Sequence, residues 1–367
     1  GDARRREAGF GDRHLLHAGN LSRRPAHQVG IPGADSPEPP PLKIAVVASL
    51  VTPLLPVQAG GAQAFVADLA RGLAGRGHRV ELYCAGGSEI QGVELVRVEV
   101  GAASRSEAVP ELRDGFERLF RELRRRGADV VSQHAFDAEA IELAEGLRVV
   151  HTLHLPPLVP GVVAAARGSA ARFATVSHSA QAAWAAAGLV TEVLPDGVPD
   201  WQPEPGPVEP VALIAGRISP EKGIEDGVAA ARLAGLEPLV VGGDYDHAYR
   251  GRLSDLEIRP PLPRDELWRL MSRSAVTVMP AKWEEPFGLV AAEAQVAGCP
   301  VAAYARGALP EVVAEGAGGF LARPDEVTDL AEAIRRCLQL DRGRIREQAR
   351  ERLLLDRSLD AYEEALR

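Results

Sequence analysis

From Lys43 onward, short runs rich in Val, Ile and Leu alternate with segments of helical periodicity, and the alternation occurs twice. The first series reads as strands at Ile44–Ala48, Val80–Cys84, Val93–Val98, Asp129–Ser132, Val149–Leu153, Phe173–Val176 and Glu192–Leu194. The second reads as strands at Val211–Ala215, Pro238–Val241, Leu256–Arg259, Ala275–Met279, Val301–Ala303 and Gly319–Leu321. Helices fill most of the gaps, the first at about Ala62–Arg76. Strands covered on both faces by crossover helices need such continuous apolar runs. Between the two series, Pro199–Pro210 carries several prolines and little apolar content, so it reads as an interdomain linker. The predicted architecture is α/β: two Rossmann-like doubly wound domains, residues 42–198 and 211–356, facing across a cleft. A terminal helix follows over 357–367, with Leu359, Tyr362 and Leu366 near helical spacing. Ligands of such sheets bind beyond the carboxyl ends of the strands, so the loops there hold the candidate chemistry.

Residues 1–41 contain Arg-Arg-Arg, several glycines and a Pro cluster without any sustained apolar period. They read as a mobile tail or the remnant of an upstream segment. The net charge of -9 argues against nucleic acid as the main partner, since phosphate binding needs a basic face. No apolar run reaches membrane-spanning length, and no signal-peptide core lies near the first residue. Cys84, Cys299 and Cys337 are scattered without metal-ligand spacing, which points to a reduced, cytoplasmic setting. Leu112–Arg126 sets Leu112, Phe116, Leu119, Phe120 and Leu123 on one stripe of an arginine-rich helix. Such a helix can dock on a membrane surface, but burying its stripe against a sheet is the favoured reading.

Glu285-Pro286-Phe287-Gly288-Leu289 leads into the run LVAAEAQVAG, read as a helix closed by Gly298. Pro286 suits the start of a helix, where its missing N–H is no loss. Glu285 then precedes the helix, and Glu293 lies on its second turn. Between them the N–H groups of Phe287, Gly288 and Leu289 should point outward with the positive end of the helix dipole. An anion bound there would have two carboxylates beside it to accept from hydroxyls, as a sugar nucleotide requires. In Ala215-Gly216-Arg217-Ile218-Ser219-Pro220-Glu221-Lys222-Gly223, two cations stand five residues apart on a strand-to-helix turn. Both can reach one diphosphate, Arg217 as a fork and Lys222 as a point charge. Gly60-Gly61 ends the long first loop and opens a helix, and Gly242-Gly243 ends the second strand of the second domain. Glycine pairs let backbone approach a ligand closely, though tight turns use them too.

The Glu-Pro-Phe-Gly-Leu step with its second glutamate resembles the signature of retaining glycosyltransferases of family 4, which have the GT-B fold. The resemblance covers about residues 42–367 with its motifs in family order. It implies that Arg217 and Lys222 hold the nucleotide diphosphate, Glu285 accepts from donor-sugar hydroxyls and Glu293 from the ribose. It also implies that Gly61 faces the donor phosphates, that Gly242 approaches the nucleotide, and that His154, in Thr-Leu-His, faces the reacting carbon. His151 fits that role less well, since alternation turns it toward a packed face. Pro195-Asp196-Gly197-Val198 resembles the family's Pro-Asn-Gly-Val turn, with Asp in place of Asn, and reads as structural. The implied function is metal-independent transfer of a sugar from a nucleotide diphosphate sugar to a hydroxyl acceptor, with no cofactor. A sugar-nucleotide epimerase, a glycan phosphorylase and a non-catalytic nucleotide-sugar-binding protein are the competing readings. The base, the sugar and the acceptor have no readable code in the loops Leu50–Ala59 and Pro156–Gly161.

Overall fold

The computed structural model describes residues 40–57, 60–100, 109–204 and 206–367. All but the end of the expected tail lies outside the described residues. The strands are β1 (Lys43–Val47), β2 (Arg79–Ala85), β3 (Glu94–Val98), β4 (Val130–Gln133), β5 (Val149–Leu153), β6 (Arg172–Thr175), β7 (Glu192–Val193), β8 (Glu209–Ala215), β9 (Glu237–Val241), β10 (Ile258–Arg259), β11 (Ser274–Met279), β12 (Val301–Tyr304) and β13 (Gly319–Ala322). The helices are α1 (Gly61–Gly75), α2 (Val109–Arg126), α3 (Ala138–Glu142), α4 (Pro160–Gly168), α5 (His178–Ala186), α6 (Ile224–Leu233), α7 (His247–Arg252), α8 (Arg264–Arg273), α9 (Leu289–Val296), α10 (Leu309–Val312), α11 (Val327–Cys337), α12 (Arg342–Leu353) and α13 (Leu355–Leu366).

Among the described residues the strands form two sheets, ordered β3-β2-β1-β4-β5-β6-β7 and β10-β9-β8-β11-β12-β13. Every pairing within them is parallel. These are the two doubly wound α/β layers that the alternation predicts. Strand order reverses between β1 and β4 in one sheet and between β8 and β11 in the other, and ligand crevices open at such points.

The strand period of two sorts side chains to opposite layers. In β1, Ile44 and Val46 join the cluster that holds Phe65, Leu69 and Leu73 of α1. Ala45 and Val47 join Phe116, Leu119, Phe120 and Leu123 of α2 on the other face. β8 does the same: Ala212 and Ile214 meet Val228, Leu330 and Ile334, while Leu213 and Ala215 meet Ala292 and Val296 of α9.

Two consequences bear on function. The apolar stripe of α2 is buried under the first sheet, and arginines on its other face are held by nearby acceptors. Arg113 meets Glu142 at 3.0 Å, Arg126 meets Glu94 at 2.7 Å, and Arg118 donates to the Glu99 carbonyl at 2.6 Å. The face that would enter a lipid surface is therefore already occupied. The chain's last helix returns to the first sheet: the Tyr362 hydroxyl donates to Thr152 Oγ1 at 3.1 Å, and Glu363 meets His78 at 2.9 Å and Arg76 at 2.9 Å. No helix of the described residues is long and apolar enough to cross a membrane.

Candidate active site

At the end of β8 the chain turns through Gly216 and Arg217 into a short 3-10 turn at Pro220–Lys222. Gly242 sits against this turn, and a Cβ placed on it would lie 1.7 Å from the Gly216 carbonyl oxygen. Its close backbone approach is thus to Gly216, next to Arg217. The Arg217 guanidinium lies over the Tyr245 ring, 4.7 Å from the centroid, and 3.4 Å from Glu221. Lys222 Nζ donates to Glu285 Oε2 at 2.7 Å and lies 5.1 Å from the centroid of Trp283. The Trp283 indole N–H donates to the same carboxylate oxygen at 2.9 Å.

The helix expected from about Gly288 begins one residue later, three residues after Pro286. Gly288, with φ 96° and ψ 55°, is left-handed and cannot be helical, so α9 begins at Leu289. The amides at this helix start are those of Leu289 and Val290. Together with Phe287 and Gly288, they find no protein acceptor among the described residues. Val290 is not among the outward amides of the sequence reading, which starts the helix at about Gly288. The segment ahead of the helix is clamped by the loop after β12. Ala308 N–H donates to the Glu285 carbonyl at 2.8 Å, and Gly307 N–H donates to Glu284 Oε2 at 2.8 Å. Gly307 (φ 56°) packs so closely that a Cβ would lie 2.3 Å from both Glu285 N and O. Glu293, on the second turn of α9, is buried, and its Oε1 accepts from Arg264 Nε at 2.8 Å. Burial raises its pKa above the ordinary carboxylate value, and the neighbouring Arg264 works against that rise.

The first domain meets this site directly. Gly61 is the first residue of α1, and a Cβ there would lie 3.0 Å from Leu289 Cδ1. The amino termini of α1 and α9 therefore face each other across the cleft. Ser177 Oγ, which caps α5, also donates to the Pro286 carbonyl at 2.6 Å. Glu311 of the second domain accepts from His178 N–H at 2.9 Å and Ser179 N–H at 2.7 Å. Neither Ser177 nor Glu311 carries a sequence signal beyond its capping residue type.

His154 follows β5 and is buried. Its Nε2 lies 2.9 Å from His134 Nδ1, and His134 Nε2 lies 2.8 Å from Ser132 Oγ. Asp196 Oδ1 approaches His154 Nδ1 to 3.8 Å, too far for a hydrogen bond. Burial pushes His154 down to about 4 and the Asp196 carboxyl well above its usual range, so both are held toward their neutral forms. Desolvation also drives His134 well below the ordinary histidine value, helped by His154 and His151. His151, on β5, stacks on Phe173 at 4.9 Å and has no partner for either ring nitrogen. Asp196 is thus more than a turn residue: it is buried beside His154.

The cleft brings together Lys222, Glu285, the α9 start and Gly61, with Arg217 on the adjoining turn. Two consecutive family models match the chain. "Glycosyltransferase Family 4" matches residues 59–201, and "Glycosyl transferases group 1" matches residues 200–352. The chain belongs to the group 1 glycosyltransferases of the GT-B fold. It is 36% identical over 149 residues to a glycogen synthase of Mycobacterium tuberculosis, covering 37% of this chain and 35% of the relative. It is 38% identical over 138 residues to a D-inositol 3-phosphate glycosyltransferase of Thermobifida fusca, covering 32% of each. The chain thus spans about a third of the length of these curated relatives. Among solved structures, a sucrose-phosphate synthase from Thermosynechococcus elongatus superposes with a TM-score of 0.74 at 20% identity, covering 88% of this chain and 97% of that one. Anabaena HepE in complex with UDP and glucose superposes with a TM-score of 0.70 at 18% identity, covering 89% and 99%. These neighbours share the fold.

Proposed function

We infer that the chain transfers a sugar from a nucleotide diphosphate sugar to a hydroxyl acceptor, with retention at the anomeric carbon and without a metal. The observation that carries this reading is the convergence of the α1 and α9 amino termini on one point of the cleft, with Lys222 beside it. Two helix starts and a cation make a strongly anion-seeking pocket, as a leaving diphosphate requires. The Anabaena neighbour holds UDP and glucose, which suits the same donor class here.

In this reading Arg217, Lys222 and the amides at the start of α9 neutralise the diphosphate as charge develops on it. Glu293 accepts from the ribose hydroxyls and Glu285 from the donor sugar. His154 stands at the sugar's reacting carbon, its ring steadied by His134. The acceptor oxygen attacks on the face the phosphate leaves: the new C–O bond forms as the bond to phosphate breaks, and the acceptor proton passes to the departing phosphate oxygen. A covalent route of the glycosidase type would need a nucleophilic carboxylate on the acceptor side, and none is assigned there. The acceptor lies against the first domain. Nucleic acid has no place in this scheme. The three unpaired, buried thiols suit a reducing, cytoplasmic compartment.

The test is thermal-shift screening against UDP-, GDP-, ADP- and dTDP-sugars. Released nucleoside diphosphate is then measured with a mixed acceptor pool, with and without EDTA, and the product's anomeric configuration is read by NMR. Binding without release would make the protein a non-catalytic sensor, and an altered donor sugar would make it an epimerase. Loss of activity with EDTA, restored only by a divalent ion, would sink the metal-free part.

A further inference from the structure

Asp68 lies in the middle of α1, yet only 3% of its side chain is exposed. It sits among Phe65, Val66 and Leu69, where an unpaired carboxylate would be costly. Arg71, one turn along, meets it at 2.5 Å. Its second partner comes from the other domain: Arg264 Nη1, at the start of α8, donates to Asp68 Oδ2. The same guanidinium donates through Nε to Glu293 Oε1 at 2.8 Å and lies over the Trp268 ring, 4.7 Å from its centroid. Arg71, Asp68, Arg264 and Glu293 therefore form a string of alternating charge that crosses the cleft and ends on the carboxylate assigned to the ribose.

An arginine fork held at both ends fixes the planes of the groups it binds. A carboxylate oxygen accepts more than one hydrogen bond, so Arg264 orients Glu293 without using up its capacity for hydroxyls. Arg264 Nη2 is buried and without an acceptor among the described residues, a donor left beside Glu293 that a ligand oxygen would satisfy. The contact to Asp68 exists only while the two domains stand in this arrangement.

We propose that Asp68 is a positioning residue for nucleotide binding: through Arg264 it fixes Glu293, so that tight grip on the ribose depends on the first domain being closed over the second. This rests on the reading of Glu293 as the ribose acceptor. It predicts that a first-domain residue that does not touch the nucleotide sets the affinity for its ribose and leaves the affinity for its phosphates alone.

Calorimetric titration of the full chain tests this with two probes. One is UDP, or whichever of GDP, ADP and dTDP the wild type binds most tightly. The other is inorganic pyrophosphate, which has no ribose. Asp68→Asn should weaken the nucleotide by about tenfold, the scale of one charge-assisted contact, and leave pyrophosphate unchanged. Glu293→Gln should do the same, and adding Asp68→Asn to it should cost little more, because the two act through one path. Should Asp68→Asn fail to fold, Arg264→Lys replaces it: a lysine keeps the charge but cannot fork to both carboxylates, and the same pattern is expected. Nucleotide affinity that survives Asp68→Asn but falls with Glu293→Gln would overturn the positioning role alone. Equal loss for nucleotide and pyrophosphate would overturn it too, as a general loosening. Full affinity in Glu293→Gln, or a wild type that binds none of the four nucleotides, would overturn the reading beneath it.

Discussion

On the second sheet the cleft is lined by ion pairs. Lys222 and Glu285 are paired at 2.7 Å with 17% and 11% of their side chains exposed, and Arg217 is paired with Glu221. On the first sheet the polar groups are packed away from water: Ser132, His134, His154 and Asp196 are all buried, and burial holds the two histidines and the aspartate toward their neutral forms. The contrast fits the proposed function. A diphosphate needs fixed positive charge, and that charge stays partly solvated through its own counter-ions until a ligand replaces them. A sugar ring and a hydroxyl acceptor carry no charge, so a wall of neutral donors and acceptors recognises them without competing for the phosphate. Removing charge should therefore damage catalysis on the second wall, and adding charge should damage stability on the first.

The largest effect expected is on the charged wall. Lys222→Ala should lower kcat/KM by roughly 10²–10³-fold, the scale seen when one donor to developing charge is lost. Trp283 still donates to Glu285 in that variant, so the loop keeps a support. Steady-state kinetics with the sugar nucleotide, beside a melting curve, would check both halves. A variant that keeps most of its turnover would break the comparison at its strongest point. Arg217→Ala should follow the same pattern less steeply, since Arg217 rests on Tyr245 and is paired with Glu221.

On the neutral wall the expected loss comes with acid. His151 and His154 have pKa values depressed to about 4 by burial, against about 6.5 in an unfolded chain. Between those values the unfolded state binds protons that the folded state refuses, so stability is full above pH about 6.5 and falls as pH drops toward 4. Each group contributes up to about 1.4 kcal/mol per pH unit across that window. Asp196 acts in the opposite sense: its raised pKa adds stability at low pH that is lost as pH rises through the folded value. Urea unfolding at several pH values from 7.5 to 4.5 should show a fall toward acid that His134, His151 and His154 drive and that Asp137, Asp196 and Glu293, all raised by burial, oppose. Asp196→Asn should steepen that fall and raise stability near neutrality. A profile that Asp196→Asn leaves unchanged would mean that the first wall is not neutral in the way its burial implies.

A smaller effect sharpens the boundary between the walls. Glu285→Gln frees Lys222 from its counter-ion, so affinity for UDP alone should hold or rise slightly. Alignment of the transferred sugar should suffer, with kcat falling by about tenfold. Loss of UDP affinity in step with kcat would place Glu285 on the phosphates instead.

Which parts of this were legible in the sequence depends on whether the signal is local. β1 and the Val211–Ala215 part of β8 could be read because a strand buried on both faces is apolar in a continuous run. Arg217, Lys222, Glu285 and Glu293 could be singled out because each lies within a few residues of a strand end or helix start that defines its place. The shift of the α9 start from about Gly288 to Leu289 came from Gly288: a start set by one left-handed residue does not show in letters alone. Asp68 could not be read at all. In sequence it is an acid in a helix, which ordinarily faces water, and it is buried because Arg264 meets it from 196 positions away. Glu311 and Ser177 are hidden for the same reason, since their partners belong to the other domain. Asp196 read as a turn residue because only the packing of α13 and His154 makes its carboxyl a buried group.

The smallest effect separates two histidines three residues apart on the same wall. His154 has a ring partner in His134, whereas His151 has none for either nitrogen and gains only its stack on Phe173, with an interplanar angle of 17°. A neutral imidazole always carries one N–H donor and one acceptor, so His151 leaves both unsatisfied. His151→Leu removes that cost and forfeits the ring stack, worth about 0.5–1.5 kcal/mol. The two nearly offset near neutrality, and a gain of no more than about 1 kcal/mol is expected there. Toward pH 5 the advantage should widen, because the leucine variant has one fewer group that must stay unprotonated to fold. Turnover should be unchanged, since His151 faces Phe173 within the layer and not the cleft. His154→Leu should lose turnover and leave His134 without its partner. If His151→Leu instead destabilises at pH 7.5 and also slows transfer, the neutral wall would extend one turn of the strand deeper than its hydrogen bonds indicate, and His151 would belong to the site.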